Sequence, residues 1–484
     1  MNSKRSVVLV AIAAIFSLTS CSGTKHGGGG GGGNASLNLT LAAVPLTPPP
    51  GTSILSFAVT INSVSLTPST GGSDVSIPLN ASTYSVDLTR LQSDSSFLGQ
   101  SVNNVTAGTF NQLSVNLSAV VTYCAATSGT PGCNPGSVAQ ISKSFATPTT
   151  SNFSLTLASN QQAALRVLIN FANALTVNSG TQAVTGVDLT ASNVVTTASL
   201  PPSASTLTSG EFDYIDDVTG VVTAASSSSV TVQTATRGSV TAAVTSTTIG
   251  SPNCVIQNTP CTATVGQIAS LDMTLNSDGT ATLLQFDPLS TTSFDLIEGI
   301  VTTENTSNTQ FQIVTNDFVP ASNSNLISGL SLGDPVNVTL TSTVLPFVID
   351  SKGLPTVNTP FNGGTSAADI LPGQTVAIRV TGFTAKSGNT PASAQVDAVA
   401  LRFTRVAGSV SSPSGTIFSI GSLPPFFGQS GSNQVQLSTG SPSTALDGYA
   451  NVGSITAGDN VAIRGLYFGV SFAPTFTAAK VRKN

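Results

Sequence analysis

Histidine, the side chain most often used as a general base, occurs once in this chain of 484 residues. His26 lies directly before an unbroken glycine run, Gly27 to Gly33. A Ser-His-Asp or Cys-His arrangement therefore cannot be assembled within a folded domain, and neither can a metal site built on imidazole. The glycine run is not a phosphate-binding loop, because no predicted strand precedes it and no predicted helix follows it. We predict no catalytic residues, no cofactor and no enzymatic activity.

Four of the five cysteines form two close pairs in the sequence. Cys124 and Cys133 bracket one turn-prone insert, and Cys254 and Cys261 bracket another. Closing loops this short stabilises a folded chain by roughly 2.5 kcal/mol each. Zinc sites usually have cysteines at closer spacing, often with a histidine, and neither pair has a histidine nearby. We predict two local disulfides; free thiols or a metal site are the alternatives.

The densest acidic patch contains Glu211, Asp213, Asp216 and Asp217. Two carboxylates suffice for glycoside hydrolysis, and clustered carboxylates can also bind Ca²⁺. In a strand, however, the adjacent Asp216 and Asp217 point to opposite faces and cannot act as a pair. We interpret the patch as the solvated face of a linker and predict no metal. A weak Ca²⁺ site at Asp213, Asp216 and Asp217 is the alternative.

One loop carries aromatic residues outside the alternating pattern that is typical of a core. Phe426 and Phe427 are adjacent in the Pro/Gly-rich segment 423–428. Two consecutive rings cannot both face one side of a core. The loop is interpreted first as a plug that closes the end of a barrel. The alternative is an exposed interaction patch.

The first residues have the pattern of an export signal. Lys4 and Arg5 are followed by a short apolar stretch and then by Leu18-Thr19-Ser20-Cys21. This ending resembles the lipobox of bacterial lipoproteins. The resemblance implies that residues 1–20 are a signal peptide and that Cys21 becomes a lipidated N-terminus. The alternative is an ordinary signal peptide with a chance cysteine.

The predicted lipid would attach the protein to the membrane of the cell envelope. Residues 21–35 would then form a Gly-rich tether, since a glycine run behaves as a flexible coil. Ser22, rather than aspartate, follows the cysteine. By resemblance to enterobacterial sorting rules, this residue favours the outer membrane.

Charged residues make up only 8% of the chain, whereas hydrophobic residues make up 40%. An average soluble domain has about 25% charged residues. The remaining polar surface is supplied by Ser, Thr, Asn and Gly, which favour extracellular β-proteins with many turns. The net charge is −5, and no basic cluster exists beyond the leader and the last residues. This balance excludes nucleic-acid binding.

Residues 36–200 show the period-two alternation of strands. Leu37, Leu39 and Leu41 alternate with polar residues, and a second strand has an irregularity at Asn62-Ser63. The segment 161–175 is the best helix candidate, although we interpret residues 165–169 within it as a buried strand. Residues 201–214 are rich in Pro and Ser and are predicted to be a linker.

Several motifs of this region resemble an uncharacterised β-sandwich family of bacterial lipoproteins, a domain of unknown function. They are a Leu-rich strand ending in Ala43-Val44-Pro45, the strand 57–66, the segment 84–88, Ala107-Gly108-Thr109-Phe110, and Leu168-Ile169-Asn170-Phe171. The resemblance implies a β-sandwich. The family usually has Asp before the first Ala-Pro and around the last Phe. Because this chain has Ala, Asn and Ala at those places, a cation site built on those acids is not expected.

The rest of the chain repeats itself. Gly220-Val-Val, Gly299-Ile-Val and Gly408-Ser-Val each open a unit. Gly373 and Gly458 precede near-identical strands and are predicted to occupy turns that need positive φ. We predict three units at 215–290, 295–404 and 405–484, the middle one with an insertion. A continuous solenoid is the alternative.

These units resemble a second uncharacterised bacterial family of small β-barrels, related in outline to oligonucleotide/oligosaccharide-binding (OB) folds. The predicted fold class is therefore all-β and multi-domain: a β-sandwich followed by about three small OB-like barrels. Closed barrels also remove the exposed sheet edges of so strand-rich a chain.

Three functions remain after these exclusions. The preferred one is a non-catalytic lipoprotein of the cell envelope that serves as a structural or adhesive module, with an envelope protein or a glycan as partner. The second is a surface protein that binds a glycan or small ligand. The third is a carboxylate-dependent hydrolase, which would require two buried acids in one cleft.

Overall fold

Strands make up 61% of the chain and helices 4% in the computed structural model. The structure describes residues 33–484 except 45–51, 127–128, 145–146, 201–213, 246–248, 251–262, 277, 291–293, 305–308, 323, 343–346, 353, 355–368, 422, 429–432 and 441–442. Within these described ranges, no helix is long and apolar enough to cross a membrane.

The N-terminal region, residues 33–200, contains the first twelve strands: ten of them form a sandwich, and the tenth and eleventh pair with each other in a separate two-stranded sheet. They are β1 Asn34–Ala43, β2 Thr52–Pro68, β3 Val75–Ile77, β4 Tyr84–Asp87, β5 Ser95–Thr106, β6 Gly108–Ala125, β7 Ala139–Ser144, β8 Thr149–Leu157, β9 Gln162–Ile169, β10 Leu175–Val177, β11 Val184–Val187 and β12 Val195–Leu200. One sheet has the order β12-β9-β1-β5. The other has the order β3-β2-β6-β7, with β4 beside β2 and β8 beside β6. Their apolar faces share one core.

The alternation of residues in the sequence correctly predicts this core. Leu37, Leu39 and Leu41 are fully buried, and the predicted irregularity is a register shift between Ile61 and Ser63. The segment 161–175 is mostly strand β9, as the buried run inside it indicates. Only the helix α1, Phe171–Ala174, follows it. A short 3₁₀ helix, Leu88–Gln92, connects β4 to β5.

Three groups of strands follow the sandwich. The first barrel contains β13 Tyr214–Ala225, β14 Ser229–Gln233, β15 Ser239–Ala243, β16 Ile249–Gly250, β17 Ile268–Leu275 and β18 Ala281–Ser290. The second barrel contains β19 Asp295–Glu304, β20 Gln310–Val319, β21 Pro335–Leu340, β22 Phe347–Ile349, β23 Thr375–Thr384 and β24 Ala392–Arg402. The third barrel contains β25 Thr404–Ser414, β26 Ile417–Gly421, β27 Asn433–Leu437, β28 Ala445–Asp447, β29 Asn460–Tyr467 and β30 Phe476–Lys483.

All three groups pair their strands in the same order. In the second barrel the circuit runs β19-β20-β21-β24-β23 and returns to β19; in the third it runs β25-β26-β27-β30-β29 and returns to β25. Both are closed five-stranded barrels. The pairing of β21 with β24 in the second barrel, and of β27 with β30 in the third, is parallel. The first barrel has the same order but closes through one residue pair, Ala243 with Thr282. This OB-like order confirms the predicted fold class.

The repeated glycines have two structural roles. A Cβ atom at Gly220, Gly299 or Gly408 would lie 2.2 to 2.5 Å from a carbonyl oxygen of the adjacent strand, so only glycine fits. Gly373 and Gly458 have φ of +94° and +92°, as the turns before β23 and β29 were predicted to need.

The same backbone bonds recur after these turns. The Gly373 N–H donates to Val301 and the Gly458 N–H donates to Val410, which are the third residues of their opening motifs. The sequence repeat is therefore a repeat of hydrogen bonding.

The predicted linker contains residues that the structure leaves undescribed, 201–213. Its last residue, Tyr214, is already the first residue of β13. β13 also pairs with the sandwich, since Ile215 is in register with Ser95 of β5. The first barrel thus continues a sheet of the sandwich.

Candidate functional site

About half of the chain's Lys, Arg, Asp and Glu residues are buried. Many of them lie where the sandwich and the three barrels meet and form a single set of ion pairs, named here the charge network. Its members are Arg90, Asp94, Asp217, Arg237, Asp272, Glu298, Asp317, Asp350, Lys352, Arg402, Arg405, Arg464 and Lys480. So much buried charge in so weakly charged a chain requires a specific role.

Asp217 is the acid on which three barrels converge. It lies on β13 of the first barrel and is bound by Lys352 of the second barrel. Arg405 of the third barrel donates to its other oxygen at 3.0 Å. The hydroxyl of Ser270 donates to it at 3.1 Å. Burial raises the pKa of this carboxyl, but the cations of Lys352, Arg402 and two further arginines outweigh burial and hold the pKa well below its usual range.

Glu298 joins the second barrel to the sandwich. Arg90 of the 3₁₀ helix binds one carboxylate oxygen, and the Nε of Arg402 lies 3.3 Å from the other. Burial opposes ionisation, but these two cations outweigh it, so the pKa of Glu298 is lowered. A guanidinium nitrogen of Arg237, in the first barrel, lies 2.5 Å from a carboxylate oxygen of Asp317. There burial prevails over the cation, and the pKa of Asp317 is raised.

Asp94 joins the sandwich to the third barrel. The Nζ of Lys480, on the last strand, lies 3.1 Å from its carboxylate and donates to the Ser93 carbonyl at 2.6 Å. Burial opposes ionisation of Asp94, but Lys480 and Arg464 outweigh it and lower the pKa. Arg464 also lies 3.5 Å from Asp272 of the first barrel. The network therefore connects all four parts of the fold.

The pKa values of two neighbouring acids in the network are shifted in opposite directions. The pKa of Asp217 is lowered, whereas burial raises that of Asp272. Opposite shifts in neighbouring carboxyls often mark catalytic sites. Here Lys352 binds both acids, at 3.0 Å in the case of Asp272, and its own side chain is 4% exposed. The two acids and Lys352 therefore form a buried cluster of ion pairs between the first and second barrels.

One cleft of the structure has two acids on its wall, and residues of the charge network also line it. It has a volume of about 560 Å³, and Asp287 and Asp350 both line it. Arg402 lines it too; it binds Asp350 and turns its Nε towards Glu298. Asp350 is thus an ion-pair partner of an arginine, not a carboxyl presented alone to a ligand.

The acidic patch was interpreted as a solvated linker face, and for Asp217 this is wrong. Its side chain is only 1% exposed, because the second and third barrels cover that side of β13. Glu211 and Asp213 lie outside the described residues, and the side chain of Asp216 is likewise not described. Among the side chains that are described, no group of three or more His, Cys, Asp or Glu residues could hold a metal ion.

The disulfide predicted between Cys124 and Cys133 is present. Its loop contacts both later barrels: Gly132 donates to the Phe426 carbonyl at 2.6 Å, and Cys133 donates to the Thr302 carbonyl at 2.8 Å. Cys254 and Cys261 fall outside the described residues, so their pairing remains a prediction.

Phe426 and Phe427 are both buried, at 1% and 4% exposure. Their rings are 5.3 Å apart in a T-shaped contact, and Phe427 makes a similar contact with Tyr467. The Phe426 N–H donates to the Ser53 hydroxyl of the sandwich. The pair is therefore not an exposed patch; it packs between the third barrel and the sandwich. Cys21 and His26 lie outside the described residues.

Sequence reasoning missed most of the charge network. Its bonds join residues up to 387 positions apart, such as Lys480 and Ser93. A signal was nevertheless present: Lys480 lies between apolar residues in a strand pattern, in a chain with few charges. A charged side chain at such a position needs a buried partner.

The fold and the network together define an all-β, multi-module protein in which a sandwich and three OB-like barrels are joined by buried ion pairs. Residues 38–200, which cover the sandwich, match the family model described as Domain of unknown function (DUF4382). This match agrees with the predicted uncharacterised N-terminal domain. A search of curated proteins finds no match to the chain.

Proposed function

We propose that this chain is a non-catalytic lipoprotein of the cell envelope, most consistent with the outer membrane, that serves as a structural or adhesive module. The observation that carries the proposal is the charge network. It joins four β-modules through pairs such as Asp217–Lys352, Glu298–Arg90 and Asp94–Lys480. A stiff body of this kind can carry load or present a fixed surface.

The chemistry of the side chains supports a role without catalysis. The single histidine lies in the glycine-rich segment, and Asp217 and Asp94, whose pKa values are lowered, are bound to buried cations. Breaking such pairs to free a carboxylate for a substrate would leave a buried cation uncompensated, which costs several kcal/mol (about 3–5).

The proposed location in the cell envelope depends on the N-terminal segment. The lipobox-like Leu18-Thr19-Ser20-Cys21 and the glycine run after it supply an anchor followed by a spacer. Acyl chains contribute about 0.8 kcal/mol per buried CH₂, so the several chains of a bacterial lipoprotein hold a protein firmly.

Membrane fractionation of Cys21→Ser cells tests the proposal. The variant is expected to appear in the soluble fraction, whereas Cys254→Ser, which alters a cysteine outside the leader, is expected to stay with the membranes. If Cys21→Ser protein still sediments with membranes, anchoring through this residue is refuted.

A further inference from the structure

A second cleft lies between the sandwich and the first barrel. Unlike the charge network, its described lining contains no charged residue. Its volume is about 560 Å³, within the range of small-ligand sites. The sandwich contributes Asn80, Gln100 and Ser101, and the barrel contributes Ser228, Thr241 and Thr280. The described residues that line it are all Asn, Gln, Ser, Thr or Ala.

This lining discriminates between classes of ligand. An ion would lose hydration without meeting a countercharge, because none of the described lining residues is charged. Hydroxyl and amide groups each both donate and accept hydrogen bonds, which matches a ligand rich in uncharged hydroxyls.

Hydrogen bonds join the two walls of the cleft. The Gln100 side chain donates to the Thr241 carbonyl at 2.5 Å and accepts from the Thr241 N–H at 2.9 Å. Its backbone N–H donates to Asn80 at 2.8 Å. Because these walls are fixed before any ligand arrives, binding costs less conformational entropy.

Backbone strain is stored in the wall. Ser101 has φ of +52°, in the left-handed region that a non-glycine residue rarely adopts. It lies where the pairing of β1 with β5 shifts register, and the Asn38 side chain accepts its N–H at 2.8 Å. Residues held in this way cluster at ligand sites.

From these observations we infer that the cleft binds a neutral glycan. This inference rests on the proposed adhesive role and assigns it a class of partner. The ligand is an uncharged oligosaccharide or polysaccharide segment, held by hydrogen bonds to the Ser, Thr, Asn and Gln side chains.

Binding of the full-length protein in detergent to a panel of glycans tests the inference. Calorimetry with neutral maltohexaose, cellohexaose and dextran is compared with anionic heparin. At least one neutral glycan is expected to bind, and heparin is not. Binding of heparin alone, or of no glycan in the panel, overturns the inference but leaves the anchoring result of Cys21→Ser unaffected.

Two substitutions locate the binding. Ser228→Trp fills the cleft from an exposed turn and is expected to weaken binding at least tenfold. Ser227→Trp, in the same exposed turn but outside the lining, is expected to change affinity less than twofold. Equal affinity of the two variants would place the glycan elsewhere and refute the assignment.

A third substitution separates binding from folding. Ser101→Gly relieves the positive φ and removes the hydroxyl. It is expected to weaken glycan binding several-fold without lowering Tm. Unchanged affinity in this variant would show that the strained serine has no part in the site.

Discussion

Asp217 shows at the scale of one residue why a buried charge can be retained in a chain that has few. Its carboxylate meets cations from two other barrels, at 3.0 Å in the case of Arg405. Desolvation of each group is offset only while all the partners are present. An incorrect arrangement of the barrels would therefore leave these charges unpaired, at a cost in stability.

Asp217→Asn is expected to lower the free energy of unfolding by about 3–5 kcal/mol, because Lys352 and Arg405 lose their shared anion. Urea denaturation measures this change. The matched control is Asp397→Asn, which removes the exposed pair with Arg379, whose side chain is 43% exposed. That variant should change stability by about 1 kcal/mol or less. Comparable losses in both variants would contradict a special role for the network.

Stability is expected to fall on both sides of a neutral plateau, between about pH 5 and 9. The lowered folded-state pKa values of Asp217, Asp94 and Glu298 give stability above their unfolded pKa, which is lost as pH falls through the folded values. The folded-state pKa values of Asp317 and Asp272 are raised, so these two carboxyls bind protons more tightly in the folded state and oppose this loss of stability.

On the alkaline side, nearby acids raise the pKa of Lys352 despite its burial, and burial raises that of Tyr84 to about 12. Both contributions are fully present below the unfolded pKa values, about 10, and are lost as pH rises through the folded ones. The urea midpoint measured against pH tests the plateau. Asp217→Asn should flatten its acid limb, and an unchanged limb would contradict the assignment.

At the scale of the element, the strands of the barrels repeat, and the same backbone hydrogen bonds recur with them. The opening glycine of each barrel lets the second strand approach closely, and the later glycine turn returns a hydrogen bond to the first strand. These devices are local, so they leave a visible trace in the sequence.

Gly299→Ala is expected to destabilise the second barrel by roughly 1–3 kcal/mol, because the new Cβ would lie 2.5 Å from the Val314 carbonyl oxygen. Gly108→Ala is the control, since nothing lies within 4 Å of its Cβ position. Losing unfolded-state freedom should make that variant neutral or slightly stabilising. Thermal unfolding compares the two; an equal Tm would argue against the close approach.

The disulfide loop is an element that joins modules. Replacing Cys124 and Cys133 together by Ser is expected to lower stability by about 2–4 kcal/mol. Hydrogen exchange at the amides of Gly132 and Cys133 should accelerate, since these amides donate to the third and second barrels. Unchanged protection would mean that the loop keeps its place without the covalent bond.

At the scale of the whole molecule, the described residues from Gly33 onwards group into one compact unit. One apolar cluster combines residues of the sandwich, such as Leu55 and Cys124, with Ile300 of the second barrel and Phe426 of the third. The charge network lies in the same junction. Cooperative unfolding follows when interfaces are as well packed as cores.

Calorimetry is therefore expected to show a single main transition for the sandwich and barrels. Lys352→Met removes the cation that links the first and second barrels and should split or broaden the transition. Lys143→Met, at an exposed position of β7, should leave it intact. Several independent transitions in the unaltered protein would refute a rigid unit.

The sequence by itself determined the all-β class, the three repeats, the glycine turns and the Cys124–Cys133 bond. Each depends on residues close together in the chain or on a period that one strand displays. The sequence could not show whether water or another module covers the polar faces of the strands. Asn38 and Thr40 alternate with core leucines as a solvent-facing row would, yet both are buried, and Asn38 donates to Asp278 of the first barrel.

Tertiary structure alone decided the location of the charges. Asp94 and Lys480 lie 386 positions apart, and no local pattern relates them. A period of two shows that a strand has a polar face; whether water or another module meets that face depends on how whole barrels dock. Docking is decided by complementarity between distant segments, so the charge network and the cleft between sandwich and first barrel became visible only in three dimensions.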